Sequence, residues 1–170
     1  MRYKSVLWAV ALFTAVGFPQ LGQSTSVDQI DLDALTSEAT TIVTAEVVTA
    51  EVDNSDNRFS TILTLRVTDQ IKGVTQNFIS LRVPGGSVRQ GRFRVAEVNA
   101  GVPRIFGDQD ALLFLNESQQ SNSYSLVGFT QGFMSILEEG GEQFVQNAAT
   151  DGKKISLATM KESITQLEAE

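Results

Sequence analysis

Cysteine and histidine are both missing from this chain. Without thiols there is no disulfide framework, no lipid-modified cysteine behind an export leader, and no thiolate metal or redox chemistry. Without imidazole, the Ser-His-Asp and Cys-His nucleophile systems, ordinary zinc sites and histidine acid–base catalysis near neutral pH are excluded as well. Tryptophan is limited to Trp8, and positive charge is outweighed: 13 Lys and Arg stand against 20 Asp and Glu. Nucleic acid and anionic lipid carry the same sign as the chain and are not expected partners. No internal repeat or low-complexity tract is visible.

What is present begins with "MRYKSVLWAVALFTAVGFPQLGQS", in which Arg2 and Lys4 precede an apolar run from Val6 to Phe18. Pro19 and the small residues Gly22 and Ser24 follow, and the run is short for a bilayer span. This is the layout of a secretory signal peptide, expected over residues 1–24 with cleavage after Ser24, or after Gly22. Its removal takes away two positive charges and no negative one, so the net charge falls from −7 to −9. Trp8 leaves with it. The expected product is periplasmic or extracellular, free of the membrane, and stabilised by an apolar core that about 145 residues can supply without disulfides. Apolar residues at 42% and charged residues at 19% fit a single globular domain.

Hydrophobic spacing then predicts the elements. "VDQIDLDALTSEAT" places Leu32, Leu35 and Ala39 at helical intervals with Asp31 as cap. "TTIVTAEVVTAEVD" reads as a long strand bent in its middle, because apolar residues occur at both parities. "RFSTILTLRVTDQIKG" sets Phe59, Leu63, Leu65 and Val67 on one face, and "FISLRV" alternates in the same way. "QDALLFLN" is a continuous apolar run, as in a strand covered on both faces. "YSLVGFTQGFMSILEE" is a strand region punctuated by Gly128 and Gly132, with "EQFVQN" as its hairpin partner. Leu157, Met160, Ile164 and Leu167 repeat at three and four, giving an amphipathic helix capped near Ser156. The expected fold is mainly β: a small OB-like barrel of five to seven strands over residues 25–150, with a short N-terminal helix and a C-terminal amphipathic helix over 151–170.

Candidate functional residues are few. Arg82, Arg89, Arg92, Arg94 and Arg104 cluster around "VPGG", where Pro84 ends a strand and Gly85 and Gly86 turn the chain. The glycine pair makes either a barrel corner or a binding loop that lets a partner's backbone approach. The arginines form either a docking face for an acidic partner or a solvated strand with ion pairs to Glu97, Asp108 or Asp110. Asp53, Ser55 and Asn57 have the alternate oxygens of a calcium loop but lack its glycine and closing glutamate, so a plain turn is expected. Glu138, Glu139 and Glu142 flank a Gly-Gly turn rather than a cleft, and Ser156 beside Lys153 and Lys154 reads as a helix cap rather than a dyad. Tyr124, Phe129 and Phe133 share no single face, and core packing is expected of them.

Several segments resemble, in order, a broad group of uncharacterised exported bacterial proteins with a "V...lKG", "vPGG", "PrF..Ge.yLLFL" and "vvG..QG.f" pattern. Here these are "VTDQIKG", "VPGG", "PRIFGDQDALLFL" and "LVGFTQGF". Ala45 stands where glycine is frequent in that group, and Asp108 where glutamate is usual. More distantly, the succession looks like the OB-type barrel of netrin-like modules and tissue inhibitors of metalloproteinases. Those inhibitors chelate zinc through an amino-terminal cysteine, which this chain does not have, so the resemblance implies the barrel alone. The expectation is therefore a non-enzymatic, exported domain without cofactor that binds another exported or envelope protein. Its contact surface is expected at Arg82, Gly85, Gly86, Arg89, Arg92, Arg94 and Arg104. The alternatives are a metal-free hydrolase using carboxylates, which needs two acids across a cleft, and a carbohydrate-binding module, which needs exposed aromatics.

Overall fold

A computed structural model describes residues 29–54, 58–73, 76–98, 105, 109–118, 123–129, 131–146, 150 and 152–169. The leader segment and Arg104 lie outside the described residues. Helix α1 (Leu32–Glu38) opens the fold, and the Asp31 side chain caps it by accepting from the Ala34 amide at 2.8 Å. This satisfies one of the donors a helix start leaves orphaned. The strands β1 (Thr41–Asp53), β2 (Ser60–Lys72) and β3 (Phe78–Pro84) then pair antiparallel in sequence order. Next come β4 (Gly86–Gln90), β5 (Phe93–Glu97), β6 (Asp110–Ser118), β7 (Ser123–Leu126), β8 (Phe133–Glu139), β9 (Glu142–Gln146) and β10 (Ile155–Ser156), before helix α2 (Leu157–Glu168). Among the described residues no helix is long and apolar enough to cross a membrane.

Five strands close a ring in the order β1-β2-β3-β7-β6 and back to β1, the closure being the antiparallel pairing of Thr41–Glu46 with Asp110–Leu115. The protein is thus mainly β, with a small OB-like barrel at its centre. The ring is weakest at one seam. There β3 and β7 run parallel and share a single paired position, Leu81 with Tyr124.

Two cores follow from the alternation of strand side chains. Val43, Ala45, Val47, Leu63, Leu65, Leu81, Leu113 and Leu115 fill the barrel interior. On the outside of the same wall, Ile42, Leu112 and Phe114 meet Leu35 of α1 and Leu157, Met160 and Ile164 of α2. The continuous apolar run of β6 is therefore a wall buried on both faces, and the two parities of β1 serve the two cores in turn. Irregular register between β1 and β2 at Ile42/Val43, Thr44/Ala45 and Val47/Thr49 accommodates the bend. Lys72 at the end of β2 ties the helices down: its Nζ donates to the Thr36 carbonyl at 2.7 Å and pairs with Glu168 at 2.8 Å.

Opposite β6, the partner strand is interrupted. β7 pairs with Leu115–Ser118 and β8 with Ala111–Leu113, and the chain between them leaves the sheet at Val127 and returns at Gly132. Both ends bond to one residue: the Val127 amide donates to the Phe114 carbonyl at 3.0 Å, and the Phe114 amide donates to the Gly132 carbonyl at 2.8 Å. Past this excursion β8 diverges from the barrel to make a hairpin with β9.

Candidate functional site

At the end of β3 the chain turns out of the barrel. Gly85 has φ +95° and Gly86 φ +155°, both in territory that side-chain-bearing residues avoid. A β-carbon on Gly86 would also stand 2.8 Å from Cγ1 of Val52. The Gly85 amide donates to the Phe59 carbonyl at 2.7 Å, and Thr61 Oγ1 donates to the Gly85 carbonyl at 2.8 Å. VPGG is therefore a fixed corner, and it leads into a separate two-stranded sheet rather than into another barrel strand.

That sheet is an arm made by β4 and β5, which pair from Gly86 with Glu97 out to Gln90 with Phe93. The two residues at its tip are Gly91, at φ +60°, and Arg92, whose φ is not positive. This is the arrangement of a type II′ hairpin turn. The return strand is anchored at its base, where the Glu97 carboxylate accepts from the Phe59 amide at 2.8 Å. From corner to tip, β4 reaches about 13 Å.

The register sorts the arm's side chains. Ser87, Arg89, Arg94 and Ala96 share one face, with Arg89 directly opposite Arg94, while Val88, Gln90, Phe93 and Val95 share the other. Arg92 projects from the turn. All three arginines are exposed, and among the described residues none makes an ion pair. Glu97 is spent on the Phe59 amide, and Asp110 acts on Arg66 of β2, whose own partner is Glu46. Phe93 is 76% exposed and Val95 is exposed beside it. Neither long edge of the arm has a strand beside it among the described residues.

Arg82 is a different case from the arm arginines. It sits on β3 in the barrel and pairs with Asp53 of β1, Nη2 to Oδ2 at 2.9 Å. It also lines a cavity of about 310 Å³ at the seam between β3 and β7. The apolar part of that cavity is Val83, Pro84, Leu126 and Phe129; its polar part includes Arg82, Tyr124, Ser60 and Ser125. The single pairing at the seam is the reason a hollow exists there. The sequence-expected contact set thus divides, with Arg89, Arg92 and Arg94 on the arm, Gly85 and Gly86 at its root, and Arg82 on the cavity wall.

Of the aromatic trio, Phe133 is buried in the barrel core as its spacing suggested, but Phe129 is not. It lies at the tip of the excursion between β7 and β8, is 72% exposed, and has φ +57°. A bulky residue in the left-handed region is rare and costs of order 1 kcal/mol or more. The turn is held in that shape by Gln131, which is buried. Its side-chain oxygen accepts from the Ile30 amide at 2.7 Å, and its own amide donates to the Gly128 carbonyl at 3.2 Å.

The remaining candidates are placed as follows. Glu138, Glu139 and Glu142 surround the exposed β8–β9 turn, where Glu139 pairs across the strands with Glu142 and is bonded by Lys154. Asp53 holds Arg82, while Ser55 and Asn57 lie outside the described residues. Ser156 precedes α2 without a side-chain capping bond. Among the described residues, no three acidic side chains stand close enough to hold a metal ion. No protein-family model matches the chain, and no curated protein does.

Proposed function

We propose that the protein is an exported binding domain whose barrel is a platform for the β4–β5 arm, and that the arm docks an acidic segment of another exported or envelope protein. The observation that carries this reading is the state of the arm's arginines: three guanidinium groups at one tip of an acidic molecule, exposed and without carboxylate partners among the described residues. Two of them oppose each other across the strands, an arrangement that costs the free protein stability. A partner carboxylate between Arg89 and Arg94 relieves that repulsion and gains paired, charge-assisted hydrogen bonds. Phe93 and Val95 on the reverse face add the apolar anchor that such contacts usually centre on. The signal-like leader and the family resemblance support the exported setting.

The test is capture from the native envelope fraction with the captured protein identified. The triple replacement Arg89→Ser, Arg92→Ser, Arg94→Ser is expected to lose an identified acidic partner that the parent protein retains, with no change in thermal midpoint. Retention of the same partner by the triple variant refutes the reading.

A further inference from the structure

The cavity at the barrel seam lies apart from the arm's tip and has its own chemistry. Among the described residues the only lining cation, Arg82, is already neutralised by Asp53 at 2.9 Å, so the described lining offers no net charge to attract an anion. The molecule as a whole is acidic, which disfavours an anionic ligand further. What the site does offer is hydroxyls, from Tyr124, Ser60 and Ser125, the last already donating to the Asn116 carbonyl at 3.4 Å and left to accept, beside guanidinium N–H groups that Asp53 orients. Hydroxyls both donate and accept, so they match a ligand whose own groups do the same. The rest of the lining is apolar, and Phe129 stands at its rim with its ring exposed in a backbone conformation that has to be enforced. Strain of that kind persists only where surrounding contacts over-determine it, as Gln131 does here, and it gathers at ligand sites.

A neutral ligand with several hydroxyls and one apolar face is a pyranose sugar. We infer that the seam between β3 and β7 is a saccharide site, in which Phe129 and Pro84 take the C–H face of one pyranose ring while Arg82, Tyr124 and the serines bond its hydroxyls. A cavity of about 310 Å³ suits one ring, with the chain of a longer glycan running out over the rim. The site needs no tryptophan, because the excursion turn presents a phenylalanine as the platform.

Methyl β-D-glucopyranoside and its galacto and manno epimers are the probes, titrated into the protein while backbone amide NMR shifts are followed. Saturable shifts are expected for at least one of them, centred on residues 82–84 and 123–129. Phe129→Ala, at an exposed position, is expected to weaken that binding about tenfold through loss of the covered apolar area. Tyr124→Phe keeps the ring packed and removes one hydroxyl, and about a fivefold loss is expected. The proposal is overturned if none of the three sugars gives saturable shifts up to tens of millimolar, or if the shifts lie elsewhere. It is also overturned if neither substitution changes them, or if sodium acetate saturates the seam and the sugars do not.

Discussion

Replacing Arg94 by glutamate should make the arm more stable while destroying its proposed use. Arg89 and Arg94 are directly opposed, and their side chains leave the same face of the hairpin. With their charges about 6 Å apart in a water-like dielectric, the repulsion is about 0.7 kcal/mol. Arg94→Glu turns this into attraction of similar size. The arm therefore gains about 1.4 kcal/mol at low ionic strength, and about half of that once the Debye length shrinks towards the charge separation near physiological salt. The arm stands off the barrel, so it opens locally rather than with the global transition. The assay is amide hydrogen exchange: the protected amides of β4 and β5 are expected to slow about tenfold at low salt and about threefold at physiological salt, with the global urea midpoint unmoved. Exchange that is unchanged or faster at low salt would refute the opposed register, and with it the argument that the arm waits for a carboxylate.

Three further outcomes follow from the packing. Leu113 and Phe114 face opposite cores from adjacent positions on β6, so Leu113→Ala and Phe114→Ala should each destabilise by about 2–5 kcal/mol in chemical unfolding, while Val48→Ala on the exposed side of β1 stays within about 0.5 kcal/mol. Gly86→Ala should lower the thermal midpoint by the equivalent of about 1–3 kcal/mol, because its φ is positive and its β-carbon would meet Val52; a midpoint unchanged within error contradicts the tight corner. The hydrogen bond from Lys161 holds the Asp69 carboxyl below its usual range, although burial acts against it. A lowered carboxyl stabilises the fold above its unfolded pKa of about 3.9, and that contribution disappears as pH falls through the lower folded value. Asp69 is about half exposed, so the pair contributes at most about 1 kcal/mol, and Asp69→Asn should remove that much of the urea stability above pH 5 and flatten the acid limb.

Much of the fold was legible because burial leaves a period in the sequence. Asp31 as a cap, the period of two in β2 and β3, and the 3–4 spacing of Leu157, Met160 and Ile164 each correspond to a contact. The unbroken "ALLFL" signalled a wall with two covered faces, and mixed parity in "TIVTAEVV" signalled a strand that serves both cores. The arm was harder to see because its strands are buried on neither side, so the short alternation of Phe93, Arg94 and Val95 corresponds to no covered face. Its one local signal was Gly91-Arg92 between "SVRQ" and "FRVA", glycine at the first turn position of a II′ hairpin. The seam cavity has no local signal at all: it joins Ser60, Arg82, Pro84 and Phe129 through the ring closure and the excursion between β7 and β8. Spacing likewise sent Phe129 to the core with Phe133, although the reversal at Gly128 turns it out to solvent.

In the proposed function the opposed arginines of the projecting hairpin, which have no ion-pair partner among the described residues, read an acidic segment. A charge exchange decides whether they do. Once the acidic segment is identified by photo-crosslinking from position 93, its carboxylates are changed to lysine and Arg89, Arg92 and Arg94 to glutamate, and the affinities of all four combinations are measured. Each change alone is expected to abolish binding, and the two together to restore it. Binding of the glutamate arm to the unaltered segment at parental strength would contradict the proposed function.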